Sequence, residues 1–523
     1  MSTAFVQLMT EWRAYYCAMT ALGSADVGTT MRAEESLRPP LWRLAIGLGF
    51  AGFLVAAAGS WIPSLWGDEA ASVMSAQRPL SSLFVMLTHV DAVHGTYYLF
   101  LHFWVALFGA SPFVVRLPPA IAVGFAVAGI VYIVDRLGTR RLAICAGIVC
   151  CVIPRVTYMG EETRIYAFTA AYAAWATWVL IRLVMDRGAS RMWWVAYGAL
   201  MAFGTYTFLP FAAFLLVHAL TIVSAKVPRA FVERWLGTTA IVIAVSTPLI
   251  FVGFLQRGQI GYLAAQENIT FDSMTVGLWF WTPTFAVVGW SLILVGLGAA
   301  VWRLRRGGRK PGLSLALVAF LWMVGPGLIF AIASIARNDF TSRYLSYSAP
   351  AAAILMALGI QTLARGGLKR MIGLAVVVIL FAVPIYLSQR TPYAKNGSDW
   401  AELSATIGSL ASAGDAIVFD DGATPSRRPR LALHTYPVGF AGLNDVTLKT
   451  PYQQSSLWYD RTFTVPVAAQ LGRFANIRRV WLVEYVDSGK PDTYGIASLK
   501  GLGYHVQATY STRSTRIIEL VAG

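Results

Sequence analysis

The chain has 523 residues, of which 57% are hydrophobic and only 13% are charged, and its mean hydropathy is +0.59. Few soluble folds of this size bury so much apolar surface, so the composition excludes a purely soluble protein and makes the bilayer the main solvent. The net charge of +16 does not indicate a nucleic-acid partner, because Lys and Arg fall mostly in short clusters between the apolar runs.

The chain divides into a tail, a membrane domain and a final domain. Residues 1–40 carry both charge signs and lack the order of a cleavable signal, which predicts a cytoplasmic tail. Apolar runs long enough to cross roughly 30 Å of hydrocarbon as helices follow at 41–388. About eleven spans are predicted, at 42–62, 114–135, 142–159, 166–184, 192–207, 209–225, 236–256, 276–302, 313–335, 345–364 and 371–388. The basic loops fall on one side, which predicts a plasma-membrane protein with its N-terminus in the cytoplasm.

One short apolar segment, Tyr97–Phe108, does not fit this series of spans. Counting it as a span would place every later basic cluster outside the cytoplasm, so we predict a helix that lies on the membrane surface. The amphipathic stretch Glu69–Leu87 is predicted to be a second interfacial helix in the same outer loop. Acidic residues concentrate in the predicted outer loops, which are 67–95, 160–164, 256–273 and 336–346.

From Ser388 onward the composition becomes that of a soluble domain. Short β-rich runs predict strands at 416–419, 479–486, 505–510 and 516–521, with helices at 400–411 and 468–474. The odd number of spans places this small α/β domain, residues 389–523, outside the cytoplasm. The sequence shows neither a phosphate-cradling glycine loop nor cysteines at metal-ligand spacing, so we expect no cofactor and no metal.

Acidic residues on two outer loops are the first candidates for chemistry. Asp68 and Glu69 directly follow the first span, where they are either solvated loop charges or part of a reactive site. Glu161, Glu162 and Arg164 lie at the outer end of the third and fourth spans. A structural salt bridge between Glu162 and Arg164 is the alternative to a role in substrate orientation.

Aromatic and basic groups on the outer loops complete the candidate set. His94 and Tyr98 occupy the same loop as the first acid pair. Arg337, Arg343 and Tyr344 lie at the outer boundary of the ninth and tenth spans, against the positive-inside trend. Arginine in that position is either an interfacial anchor or an anion site, and the acids opposite favour the anion site.

The motifs and their order along the chain resemble those of the GT-C superfamily, specifically of the group of protein O-mannosyltransferases and lipid A aminoarabinose transferases. The resemblance rests on the Asp68-Glu69 pair, 94–98, 107–118, 162–166 and 342–344. It implies a polyprenyl-phosphate-linked sugar as donor and a glycan, lipid or protein as acceptor. It also implies that Asp68 is the catalytic base, with Glu162 or Glu161 nearby, and that Arg343 holds the lipid phosphate.

We therefore predict a catalytic group of Asp68, Glu69 and Glu162. The predicted substrate-binding residues are His94, Tyr98, Glu161, Arg164, Arg337, Arg343 and Tyr344. A carboxylate can accept the proton of an acceptor hydroxyl, and a guanidinium can stabilise a phosphate that leaves. Direct displacement by one base predicts inversion at the anomeric carbon. Mannose is the first candidate sugar, and the alternative function is a polytopic transporter or lipid flippase, which would carry ionisable residues near the bilayer midplane.

Overall fold

The computed structural model describes residues 40–186, 188–259, 269–306, 312–336, 341–487, 490–491 and 494–523. The predicted tail at 1–40 lies outside the described residues except for Pro40. Helices dominate the chain as far as residue 389 and have the following bounds: α1 Leu41–Ala57, α2 Gly67–Ala76, α3 Leu80–His89, α4 Gly95–Phe108, α5 Pro112–Leu137, α6 Arg140–Val152, α7 Pro154–Gly160, α8 Tyr166–Met185, α9 Arg191–Thr207, α10 Phe214–Ala225, α11 Arg229–Leu255, α12 Pro283–Arg305, α13 Leu315–Ala336, α14 Ala349–Ala364 and α15 Leu368–Gln389.

The helices make this a multi-pass membrane protein. Seven apolar helices of the described chain are long enough to cross a membrane, if Ser342–Ala364, a 3₁₀ segment followed by α14, is counted as one helix. The pair α6 and α7, bent by 61°, makes an eighth if it is one span. The bend falls at Pro154, whose ring and missing N–H interrupt a helix. Eight of the roughly eleven predicted spans correspond to these helices. Three predicted spans are helical but no longer than 17 residues, which is the lower limit for crossing: α1, α9 and 209–225.

The segment predicted to form the first outer loop is helical, as expected, but the bounds of its helices differ from the predicted ones. The predicted helix at Tyr97–Phe108 is α4, which ends at Gly109, a residue with the positive φ of 86° that glycine tolerates. The predicted helix at Glu69–Leu87 is instead two helices, α2 and α3. Pro79 separates them, because proline lacks the N–H that would continue the ladder and favours the first turn of the next helix.

The C-terminal region is a small α/β domain built on a mixed sheet, as predicted. Its order is β2-β1-β5-β8-β7, with β1 parallel to β2 and β5 and the remaining main pairs antiparallel. The predicted helix at 468–474 begins and ends earlier, at Val465–Gln470. The elements are α16 Trp400–Leu410, β1 Ala416–Phe419, α17 Leu431–Thr435, β2 Asn444–Asp445, β3 Leu448–Thr450, β4 Arg461–Thr462, α18 Val465–Gln470, β5 Arg479–Asp487, β6 Lys490–Pro491, α19 Ile496–Gly501, β7 Tyr504–Ser511 and β8 Thr515–Ala522.

Helix α2 packs into the core of this C-terminal domain. Ala70 and Met74 are fully buried there, in one cluster with Trp400, Phe419 and Trp481. Burial of apolar side chains is the main favourable term in such contacts. The helix that begins beside Asp68 is therefore held by the C-terminal domain as well as by the membrane domain.

Candidate functional site

Three segments that are distant in sequence meet at the first turn of α2. They are the start of α2 itself, the turn at 161–165 between α7 and α8, and the 3₁₀ segment Ser342–Ser348 that precedes α14. Irregular backbone at such junctions exposes polar side chains that regular helices would turn toward lipid. Most of the predicted site residues lie on these segments.

Asp68 and Arg343 form the centre of the site. Arg343 NH1 donates to Asp68 Oδ2 at 2.9 Å, and the two side chains keep 24% and 22% of their surface exposed. The Arg343 guanidinium also lies over the Trp66 ring, 4.9 Å from its centroid. Burial raises the pKa of Asp68, but Arg343 and then Arg164 outweigh it, so the pKa lies below its usual value. Asp68 is therefore an ionised carboxylate that solvent can reach.

Arg164 and His94 border this pair. Arg164 NH1 donates to the backbone oxygen of Asp68 at 3.2 Å and to Ser72 Oγ at 3.3 Å. Its NH2 lies 3.5 Å from His94 Nε2. Burial first, and then the charge of Arg164, lower the pKa of His94 to about 3, so the imidazole is neutral. The salt bridge between Glu162 and Arg164, one of the two alternatives for these residues, is not among the contacts of the described residues.

Tyr98 and Tyr344 are the two tyrosine residues of the predicted site. The Tyr98 hydroxyl donates to Asp91 Oδ2 at 3.2 Å, and its ring lies 5.9 Å from that of His94. The ring of Tyr344 lies 5.2 Å from that of Phe208 and 6.4 Å from that of Tyr166. The two tyrosines therefore form walls of the site.

Glu69, the neighbour of Asp68, has a different environment. Both its oxygens bind Arg116, at 2.8 Å to Nε and 2.5 Å to NH2, and Thr163 N–H donates to it at 2.8 Å. Neither member of the ion pair is exposed. Arg116 also donates to the backbone oxygens of Ser60 and Pro63. The Glu69 carboxylate is thus fully occupied by contacts that fix the loop.

Glu161 pairs with two cations that follow the last membrane helix. Its oxygens lie 3.2 Å from Arg390 NH1 and 3.4 Å from Lys395 Nζ, and neither Glu161 nor Lys395 is exposed. Lys395 also donates to the backbone oxygen of Tyr158 at 3.4 Å. These contacts anchor the turn at 161–165 to the start of the C-terminal domain.

Glu162 is buried like Glu161 but has no such pairing. It has no exposed surface, and neither carboxylate oxygen has a hydrogen-bond partner within the described part of the chain. Burial raises its pKa, and the charges of Lys395 and Arg343 offset this only in part. A buried acceptor without a partner is costly, so Glu162 has hydrogen-bonding capacity left for a ligand.

The C-terminal domain forms hydrogen bonds with the segment that precedes α2. The Tyr436 hydroxyl accepts from Leu65 N–H at 2.8 Å, and Ser398 Oγ donates to the Leu65 oxygen at 2.6 Å. Gly67 lies so close to Ser426 that any side-chain carbon there would overlap the Ser426 backbone oxygen. Glycine is therefore required immediately before Asp68 by close approach of another backbone.

The comparisons with known proteins agree with this architecture. A family model described as dolichyl-phosphate-mannose-protein mannosyltransferase matches residues 96–251. The crystal structure of ArnT from Cupriavidus metallidurans bound to undecaprenyl phosphate is 14% identical, with a TM-score of 0.58 over 90% of this chain and 97% of that one. Its apo structure gives a TM-score of 0.56 at 14% identity over 91% and 97%. The chain has a GT-C fold.

A third similar structure is arabinofuranosyltransferase AftD from Mycobacteria, 14% identical with a TM-score of 0.49 over 92% of this chain and 40% of that one. No curated protein matches the chain in sequence. At 14% identity the likeness to ArnT is one of fold. The predicted resemblance to GT-C proteins is confirmed at that level.

Within this GT-C fold, the structure places most of the predicted residues together. Asp68, Arg164, Arg343 and His94 converge, and Glu162 lies close enough to interact electrostatically with Asp68 and Arg343. Arg337 lies outside the described residues.

Three basic residues that form ion pairs at the site were not predicted as site residues from the sequence. Arg116 lies in the segment 107–118, where no neighbouring residue indicates that it pairs with a buried acid. Arg390 and Lys395 follow the last span, where basic residues are common at a membrane boundary. An arginine near the start of an apolar span is the one signal that could have drawn attention to Arg116.

Proposed function

We propose that the chain is an inverting glycosyltransferase that moves a monosaccharide from a polyprenyl-phosphate carrier to an acceptor hydroxyl. The observation that carries the proposal is the partly exposed contact of 2.9 Å between Asp68 and Arg343, which puts a base beside a phosphate-binding cation. The match to a dolichyl-phosphate-mannose-protein mannosyltransferase model supports a lipid-phosphate donor and favours mannose. The similar ArnT structure holds undecaprenyl phosphate, which supports the same class of carrier.

Asp68 acts as the general base in this proposal. The acceptor oxygen attacks the anomeric carbon while the carboxylate of Asp68 takes the hydroxyl proton. The bond between the anomeric carbon and the phosphate oxygen breaks, and polyprenyl phosphate leaves with the electron pair. The lowered pKa of Asp68 keeps the base ionised before the reaction.

Arg343 and Arg164 stabilise the charge that develops on the leaving phosphate. A guanidinium offers a planar fork of donors that fits phosphate oxygens, and it remains charged in a partly buried site. Arg343 can turn from Asp68 to the phosphate because both side chains retain exposed surface. Since the leaving group is already a stable anion, no second carboxylic acid has to protonate it. Attack by the acceptor in one displacement gives inversion of the anomeric centre.

The remaining predicted residues have supporting roles. Glu162 accepts hydrogen bonds from sugar hydroxyls, because its oxygens are buried and without partners. His94 contributes a neutral imidazole, and Tyr98 shapes the wall of the sugar site. Glu69 is a positioning residue, since Arg116 and Thr163 occupy both of its oxygens.

We also infer that the site and the C-terminal domain face away from the cytoplasm. The basic loops on the opposite side of the spans support this orientation. The packing of α2 in the core of the C-terminal domain requires that both lie on the same side of the membrane. The acceptor is then a glycan, lipid or protein of the cell envelope.

The test is transfer by the purified full chain. The protein is incubated with polyprenyl phosphates carrying different radiolabelled sugars and with a membrane extract as the source of acceptors. We expect transfer from one donor class, mannose first, and a product whose anomeric configuration is opposite to that of the donor. Retention of configuration would refute the single displacement. No transfer from any donor, together with movement of the lipid across liposomes, would favour a flippase.

A further inference from the structure

A cavity of about 500 Å³ lies where helix α4 meets the C-terminal domain, apart from the site described above. Its walls come from the end of α2, from α4 and from the segment 433–437, with Tyr452 on the domain side. The cavity opens at Ala106, Gly109 and Pro437, which are exposed. Cavities of this size at a domain junction are typical of ligand sites.

The polar side chains of the cavity suit an uncharged ligand. No Asp, Glu, Lys or Arg of the described chain lines it. His434 lies in it with Nε2 held by Asp460 Oδ2 at 2.7 Å, and Asp460 also accepts from the Tyr452 N–H at 2.7 Å, so this carboxylate is already satisfied. His102 uses Nδ1 for the Ala76 oxygen at 2.8 Å.

The apolar side of the cavity suits the face of a sugar ring. Val105, Leu433 and Pro437 supply apolar surface, and the rings of His434 and Tyr452 meet edge-on with centroids 4.9 Å apart. Hydroxyl groups of a ligand would find Gln77 and the two imidazoles as donors and acceptors. Flat apolar surface beside several uncharged hydrogen-bonding groups is chemistry that recognises a neutral saccharide.

Helix α2 connects this cavity to the proposed base. Asp68 lies in its first turn and Gln77 directly follows its last residue, so at 1.5 Å per residue the two are about 13 Å apart along the helix. That length is on the order of a few linked sugar units. The same helix therefore fixes the distance between the place of transfer and the cavity, which suits a more distant part of the acceptor.

We propose that this cavity binds a neutral glycan portion of the acceptor, beyond the hydroxyl that receives the sugar. The proposal rests on the proposed transferase function and names its acceptor class as a glycan. The glycan is either free or part of a membrane glycolipid. Phe108, 57% exposed at the end of α4, and Val438, 88% exposed beside Pro437, place apolar surface near the mouth and favour the glycolipid.

The test compares a variant that fills the cavity with a neighbour that does not. Ala106→Trp places a large ring at the exposed mouth of the cavity, and Leu107→Trp, one position further on the same helix, is the matched control. Binding is measured for the full chain in nanodiscs with a set of tritiated neutral trisaccharides that includes mannotriose, and with their dodecyl glycosides. Transfer to membrane extract is measured in parallel, together with the donor KM.

We expect wild type, Leu107→Trp and Asp68→Asn to bind at least one probe, and Ala106→Trp to bind it about tenfold or more weakly. Ala106→Trp should also raise the half-saturating concentration of acceptor extract and leave the donor KM unchanged. Tighter binding of the dodecyl form identifies a glycolipid, and equal binding identifies a free glycan. Equal binding by wild type and Ala106→Trp, or no binding of any probe, overturns the proposal. Because binding is measured without turnover, this result is distinguishable from a failure of transfer.

Discussion

Replacing Glu69 by alanine removes the partner of a guanidinium that has no contact with water. Arg116 would lose two hydrogen bonds, at 2.8 and 2.5 Å, and keep those to the backbone oxygens of Ser60 and Pro63. Removing one member of a buried ion pair lowers the free energy of unfolding by about 3–5 kcal/mol. Because Arg116 keeps its two carbonyl partners, we expect a loss near the lower end of this range, at about 3 kcal/mol. Glu69→Gln keeps an acceptor for Arg116 without the charge and should cost about 1–2 kcal/mol.

The assay is thermal unfolding of the purified protein in detergent, with transfer activity measured below the transition. We expect the midpoint to fall in the order wild type, Glu69→Gln, Glu69→Ala. The double variant Glu69→Leu with Arg116→Met should recover part of the loss, because neither buried charge remains. Glu69→Gln should retain more activity than Asp68→Asn, since Glu69 positions the loop and does not take the proton. A Glu69→Ala variant with the wild-type midpoint, or a Glu69→Gln variant as inactive as Asp68→Asn, would refute this reasoning.

Three further predictions concern the centre of the site. Arg343→Lys should raise the donor KM about tenfold or more in transfer assays, because an ammonium cannot offer the planar fork of a guanidinium. The pH profile of transfer should keep its shape in His94→Gln, because burial and then Arg164 lower the pKa of His94 to about 3. The contribution of Asp68, whose pKa is lowered, should be lost only as the pH falls through that lowered value. Gly67→Ala should lower both activity and the unfolding midpoint, because the added carbon overlaps the Ser426 backbone oxygen.

Each of these variants has a matched control in the chain. Gly47→Ala adds the same carbon inside a helix where nothing lies within 4 Å, so activity should be unchanged and the midpoint should not fall. Arg257→Lys changes an exposed arginine outside the site and should leave the donor KM unchanged. An Arg343→Lys variant with the wild-type donor KM, or a pH profile that changes shape in His94→Gln, would contradict the assigned roles.

The sequence predicted the fold class because composition and periodicity are local properties. Apolar runs predicted helices that the structure contains, and β-rich runs predicted four of the strands of the C-terminal sheet. The bounds of the spans were predicted less accurately, since a hydropathy window does not register where a helix begins or ends. The predicted span at 276–302 illustrates this: its helix begins only at Pro283, after a π-helical turn and Trp281 with a φ of 70°.

The sequence predicted only those site residues whose acids or arginines belong to short motifs. Asp68 and Arg343 are 275 positions apart, and the positions of the basic loops predicted that both lie on outer loops. The structure brings the two side chains into contact. The partners of Glu69 and Glu161 could not be predicted in this way. Lys395 reaches Glu161 from the linker after the last span, and its own sequence neighbourhood, with Asn396 and Gly397, indicates only a turn.

The most direct measurement for the proposed mechanism separates donor binding from transfer in Asp68→Asn. Asparagine keeps the size of the side chain and loses the ability to take a proton, so transfer should fall by a factor of about 10² to 10⁴ while binding of the polyprenyl-phosphate sugar persists. Asp272→Asn, which changes an exposed acid on another predicted outer loop, should transfer at the wild-type rate. An Asp68→Asn variant that transfers sugar as fast as the wild type would contradict the central claim.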